Sequence, residues 1–282
     1  MSDTHFGLVL ERARALGRAV GAFTCYDLFG LEAVLSAAEA RHAPVIVLVS
    51  PGSFAGAAGD RLGRALAVAA EDSAIDALVQ LDHTSDVEAI ARAAAGGLHA
   101  VMADGSRLPD PENLDLVRAA WAELDGSGAG VEAELGRVEG DEDRAAATVA
   151  GGLTDPAAAR EFAAESGVDC LAVSVGNVHG HYDGTPQLDW PRLERLAAEV
   201  PVPLALHGAS GLPDADVRRA VALGVAKVNV NTELRAAYFA RLRGGLFQAE
   251  ATLDLKGLGE DVVAGVREVV EAKLALLGWE AA

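Results

Sequence analysis

VPLALHGASGLPDADVRRAVALGVAKVNVNTELR, residues 202–235, contains the unit from which the whole chain is read. An apolar run at 202–207 ends in a turn of small residues, GASG, at 208–211. Pro213 and Asp214 then open a helix-like segment over 213–223, since proline is pre-shaped for a first helical turn. A second apolar run (225–230) is followed by Asn231 and Thr232 and by another helix-like segment over 233–244. Short apolar runs alternating with helices read as buried parallel strands joined by helical crossovers.

Working outward, six more runs of this kind lie near 19–24, 44–49, 76–82, 98–103, 130–135 and 169–175. Helix-like segments near 29–41, 59–72, 85–95, 111–124, 156–166 and 190–199 separate them. Eight strand–helix units are the count of a (β/α)8 TIM barrel. A doubly wound open sheet is the alternative; it favours one phosphate loop at a switch point, and no GxGxxG follows the first run. With no Pro-rich linker or low-complexity tract, residues 1–282 are expected to form a single barrel domain. The stretch 137–152 is charged, then rich in Ala and Gly, and reads as a mobile loop over the site. Residues 254–282 carry helical periodicity and are expected to pack outside the barrel.

Composition agrees with one large core. The chain is 51% hydrophobic but only 5% aromatic, so Ala, Val and Leu must fill the interior. A chain of this length can bury about three-quarters of its surface. The net charge of −19 argues against nucleic acid and anionic membranes as partners. An anionic substrate therefore needs a local positive site, such as a metal or helix N-termini. The two cysteines, Cys25 and Cys170, read as buried free thiols in a reducing cytoplasm. No basic start with an apolar h-region is seen at the N-terminus, and no run of about 18 apolar residues occurs.

The ends of the runs carry the chemistry. ALVQLDH ends at His83, CLAVSVGNVH at His179 and VPLALH at His207; HAVMAD ends at Asp104 and GVEAE at Glu134. Parallel strands put their C-terminal ends on one face of a barrel, so the three histidines are expected to meet. Three neutral imidazoles with an open fourth position are a usual shell for catalytic zinc. Beside them, Gly208, Ala209 and Ser210 after the seventh run, and Asn229, Asn231 and Thr232 at the end of the eighth, suit a phosphate. Backbone N–H groups approach an anion closely where side chains are small, and a helix N-terminus adds partial positive charge.

These residues carry a family resemblance. PVIVLVSPGSFAG, LDHTSDVE, VMADGS, VEAELG, GNVHGHY, LHGASG and KVNVNTEL occur in order between about residues 20 and 235. Together they resemble the class II, metal-dependent ketose-bisphosphate aldolases acting on fructose or tagatose 1,6-bisphosphate. The resemblance implies a (β/α)8 barrel and Zn2+ held by His83, His179 and His207, with Asp104 and Glu134 at an alternative metal position. A monovalent cation is a further candidate cofactor. It makes Asp82 the residue that handles the C4 oxygen and Glu142, in the 137–152 loop, the acid/base at C3. It assigns the dihydroxyacetone phosphate site to Gly180, Gly208, Ala209, Ser210, Asn229, Val230, Asn231 and Thr232. Arg235, next to the last motif, is the candidate for the far phosphate. A homodimer or homotetramer is expected.

Other residues have plainer readings. His181 makes an HGH pair with His179, which invites a zinc-hydrolase reading, but it is taken as lying behind or outside the metal shell. His5, His42 and His99 read as structural, Lys227 as structural and not a Schiff-base lysine, and Arg241 and Arg243 as a solvated helix face. The chain also departs from many family members. Thr24 stands where Asn is common, Asp183 where Lys is common, Glu139 in a Gly-Gly pair, and no Asp-Pro-Arg follows LDLKGLGEDV. These changes spare the ketone half of the site and bear on the aldehyde half. The remaining alternatives are an aldolase of the same family acting on another phosphorylated sugar or sugar acid, and a sugar-phosphate sensor.

Overall fold

The computed structural model describes residues 4–140, 147–148, 152–182 and 186–280, with backbone alone at 147–148 and 181–182. Eight parallel strands close a barrel: β1 (Val20–Thr24), β2 (Val45–Val49), β3 (Ala77–Thr84), β4 (Ala100–Ala103), β5 (Gly130–Leu135), β7 (Cys170–Val173), β9 (Leu204–Leu206) and β10 (Val225–Val230). Their order around the ring is β1-β10-β9-β7-β5-β4-β3-β2. Two short segments, β6 (Ala147–Thr148) and β8 (His181–Tyr182), pair with each other outside the ring. The barrel is a (β/α)8 TIM barrel, and the strands are buried on both faces, as parallel strands under helices must be.

Helices follow the ring strands: α2 (Leu28–Ala40), α3 (Gly56–Glu71), α4 (Val87–Ala95), α5 (Asp110–Glu123), α6 (Pro156–Ser166), α7 (Trp190–Glu199), α8 (Asp214–Ala222) and α9 (Thr232–Thr252). Asp27, Asp86, Asp155 and Asp189 cap α2, α4, α6 and α7 by accepting from backbone N–H groups, which satisfies donors a helix leaves unpaired. An unanticipated helix, α1 (His5–Ala15), buries Phe6, Val9 and Leu10 and contacts β1, β5 and β10. Thr4 caps it and also donates to Asp169 at 2.9 Å, tying it to the barrel.

α9 runs eight residues beyond the expected 244. Gly245 lies inside α9, and a Cβ there would lie 2.9 Å from Leu258. The glycine serves the close packing of α10 (Leu255–Leu276) on α9. α10 also lies on α2. Cys25 and Cys170 are both free and buried. Among the described residues, no helix is long and apolar enough to cross a membrane.

Candidate metal centre and active site

The C-terminal ends of the strands bring together residues that lie far apart in sequence. His83 lies at the end of β3, Glu134 at the end of β5, His179 in the loop after β7, and His207 directly follows β9. One ligand atom from each lies within 4.8 Å of the others. The imidazole centroids are 4.8–5.7 Å apart with nearly perpendicular planes. All but His83 are buried.

A backbone irregularity makes this possible. Consecutive strand residues point to opposite faces, yet Asp82 and His83 both reach the barrel mouth. The register between β3 and β4 shifts between Leu81 and Thr84, and His83 has φ of +43°. A bulge re-aims side chains in this way. A left-handed non-glycine residue costs on the order of 1–3 kcal/mol.

The outer ring nitrogens are held by carboxylates. His83 Nδ1 lies 2.8 Å from Asp104 Oδ2, and His207 Nε2 lies 2.7 Å from Glu132 Oε1. An ionised carboxylate only accepts, so both outer nitrogens carry hydrogen. The inner nitrogens, His83 Nε2 and His207 Nδ1, then face each other 2.9 Å apart as lone pairs. Two lone pairs at that distance require a cation between them. In the metal-free protein that cation is a proton. Burial works against charge on His83, but Asp82, Asp104 and Glu134 outweigh it and hold its pKa well above the usual range. Burial pushes His207 down to about 3, so it stays neutral.

Glu134 completes the donor set. Oε1 accepts from the Val138 N–H at 2.9 Å, while the buried Oε2 has no hydrogen-bond partner among the described residues. Burial, with the nearby charge of Asp104, pushes Glu134 up to about 7 from an ordinary 4.5. The folded protein therefore binds a proton that the unfolded chain releases between these values. Its metal-free stability falls as pH rises across that window. Three imidazoles, one carboxylate and a position already demanding positive charge fit a divalent ion such as zinc.

Behind the histidines lies a buried polar chain. Glu132 and Lys227 are fully buried and paired at 2.8 Å. Gln80 also donates to Glu132 Oε2, and Lys227 donates to Asn229 Oδ1 at 2.8 Å. Lysine has no acceptor, so Asn229 must turn its oxygen inward and its NH2 outward. That NH2 lies 3.4 Å from Asp82 Oδ2. Strand alternation places Glu132 with Glu134, and Lys227 with Asn229, on the same inward face. Sequence reasoning singled out Glu134 but passed over Glu132, although their i, i+2 spacing carries that signal.

The loop after His207 is tightly built. Gly208 has φ of +61°, and a Cβ there would collide with the Val178 carbonyl. Asn177 donates to the His207 carbonyl at 3.0 Å and binds the loop of His179 to it. Ala209 and Ser210 are buried beside this loop, and Gly180, buried, follows His179. Gly211 N–H meets Glu233 at the start of α9, and Lys273 of α10 pairs with Glu233. Val230 ends β10, Asn231 exchanges hydrogen bonds with Tyr26, and Thr232 begins α9. These loops are adjacent in the ring, as the phosphate reading requires. Arg235 lines a different cavity, with Thr24, Tyr26, Asp27 and Tyr238. Asp104 stands behind His83 and accepts from Ser106 N–H at 3.0 Å. Glu142 and Asp183 lie outside the described residues.

Fold and site together define a (β/α)8 barrel protein with a candidate metal centre at its C-terminal mouth. The family described as class-II fructose-bisphosphate aldolase matches residues 5–281. The YdjI aldolase of Escherichia coli K12 is 30% identical, with a TM-score of 0.87 and 98% of each chain covered. A protein of Coccidioides immitis, provisionally assigned as a fructose-1,6-biphosphate aldolase, is 31% identical with a TM-score of 0.88, over 99% of this chain and 97% of that one. The Campylobacter jejuni fructose-bisphosphate aldolase shares the fold at 21% identity and a TM-score of 0.82, covering 98% and 95%. The chain belongs to the class II fructose-bisphosphate aldolase family.

Proposed function

We propose that this protein is a zinc-dependent aldolase that reversibly splits a ketose 1,6-bisphosphate, of the fructose or tagatose type, into dihydroxyacetone phosphate and an aldehyde. The observation that carries the reading is the pair of inner imidazole nitrogens 2.9 Å apart, each with its outer nitrogen bound to a carboxylate. His83, His179 and His207 hold the ion, with the Glu134 carboxylate beside them. When bound, zinc supplies Lewis-acid polarisation of the ketone oxygen, which stabilises developing negative charge by several kcal/mol.

The chain's own residues do the rest. The loops Gly208–Ser210 and Asn231–Thr232 bind the phosphate next to the ketone through backbone N–H groups. Asn229 points its NH2 outward because Lys227 holds its oxygen, so it donates to the C2 oxygen. Asp82 takes the C4 hydroxyl proton as the C3–C4 bond breaks, and returns it in condensation. Glu142 delivers a proton to C3 of the resulting enediolate, an assignment that rests on the family resemblance.

A coupled assay comparing fructose and tagatose bisphosphates tests the reading. Cleavage of at least one is expected, lost on chelation and restored by zinc. Metal binding must displace the proton held between His83 and His207 as well as the one on Glu134, so zinc affinity should weaken as pH falls, and more steeply once it passes about 7. Full activity in protein verified to be metal-free would sink the metal assignment. Two free buried thiols, both shifted upward by burial, favour a cytoplasmic setting.

The same reading includes assembly into a homodimer or homotetramer. Phe239, Leu246, Phe247 and Leu253 on and after α9 are exposed, Phe247 by 84% and Leu253 by 88%. Large exposed apolar patches mark association surfaces. Phe247→Glu should shift the protein to a smaller species in light scattering; an unchanged mass would exclude this face.

A further inference from the structure

We propose that Arg107 and Arg137 form the subsite for an anionic group, a carboxylate or a phosphate, at the aldehyde end of the substrate. The inference rests on the aldolase reading and deepens it. A cavity of about 300 Å³ is lined by His83 and His179 together with Asp104, Ser106, Arg107, Arg137 and Val138. Arg107 and Ser106 follow β4, and Arg137 follows β5. In the ring, β4 stands directly across from β10, whose end supplies one of the two phosphate loops. A substrate with one phosphate on the β9–β10 side and its ketone at the metal centre must extend its other end toward β4 and β5.

The charges in this cavity favour an anion there. Asp104 is engaged with His83, and Glu139 with Arg137 Nε at 2.9 Å. That leaves the terminal nitrogens of Arg137 for a ligand. Arg107 is exposed and has no ion-pair or hydrogen-bond partner among the described residues. In a chain of net charge −19, two arginines lining one cavity are a local reversal of sign. Guanidinium forks match carboxylate and phosphate oxygens in pairs. Arg235, expected from the sequence to fill this role, lines a separate cavity.

The test is condensation of dihydroxyacetone phosphate with three aldehydes of equal chain length: glyceraldehyde 3-phosphate, tartronate semialdehyde and glyceraldehyde. The zinc-loaded wild type should prefer an anionic aldehyde over the neutral one by about tenfold or more in kcat/KM. Whichever anion wins identifies the group as phosphate or carboxylate. Arg107→Ala and Arg137→Ala should each erode the preference through KM for the aldehyde, not KM for dihydroxyacetone phosphate, and the double variant should bring it near unity. Absence of charge preference in the wild type, or its survival in the double variant, overturns the subsite. Exchange of the C3 proton of dihydroxyacetone phosphate, measured with no aldehyde present, separates the two ideas. Wild type that catalyses no exchange overturns the aldolase reading, whereas exchange without charge preference overturns the arginine subsite alone.

Discussion

Replacing Asp82 by Asn lowers carbon–carbon cleavage by about 10²–10⁴-fold, the usual contribution of a general acid–base group. The side chain is buried at the barrel mouth, next in sequence to His83, with one oxygen 3.4 Å from the Asn229 amide. Asn keeps the shape and removes the proton acceptor. Bound zinc should therefore be unchanged by metal analysis. Exchange of the C3 proton should be largely spared, because the C4 oxygen takes no part in it. Equal loss of both activities with full zinc content would remove Asp82 from the C4 step.

The second large effect is on stability. Lys227→Met should cost about 3–5 kcal/mol, since removing one partner of a buried pair strands the other charge. Glu132 would lose the 2.8 Å contact that, against the cost of burial, holds its carboxyl well below the usual range. Adding Glu132→Gln should recover much of the loss, because neutral groups replace the stranded anion. Urea denaturation of both variants measures this; a double variant no more stable than Lys227→Met would contradict it. The double variant should still bind zinc about 10–100-fold more weakly, since a ligating imidazole loses its carboxylate support.

The barrel was legible because its strands are short apolar runs bounded by turn residues, and β5 and β10 begin and end where the sequence places them. The three histidines were legible because each ends such a run. What escaped is what depends on distant partners. Nothing local pairs Lys227 with Glu132, and nothing local says that the lysine turns the Asn229 amide. The bulge at His83 was equally hidden, since LDHT reads as an ordinary strand end. α1 was missed because its apolar residues matter only against β1, β5 and β10. The end of α9 was hidden for the same reason: the segment expected over 233–244 continues to Thr252, where α10 packs against it.

The irregular backbone at His83 has a consequence for anyone who would move this chemistry to another scaffold. On a regular strand, Asp and His side by side would look in opposite directions, one inward and one into the helix layer. Copying the two letters would transplant a ligand without its acid–base neighbour, or the reverse. The portable unit is the kink itself, together with the offset by which Thr84 meets Ala103 on the adjoining strand. A designer must reproduce that slip before the pair of side chains has any meaning.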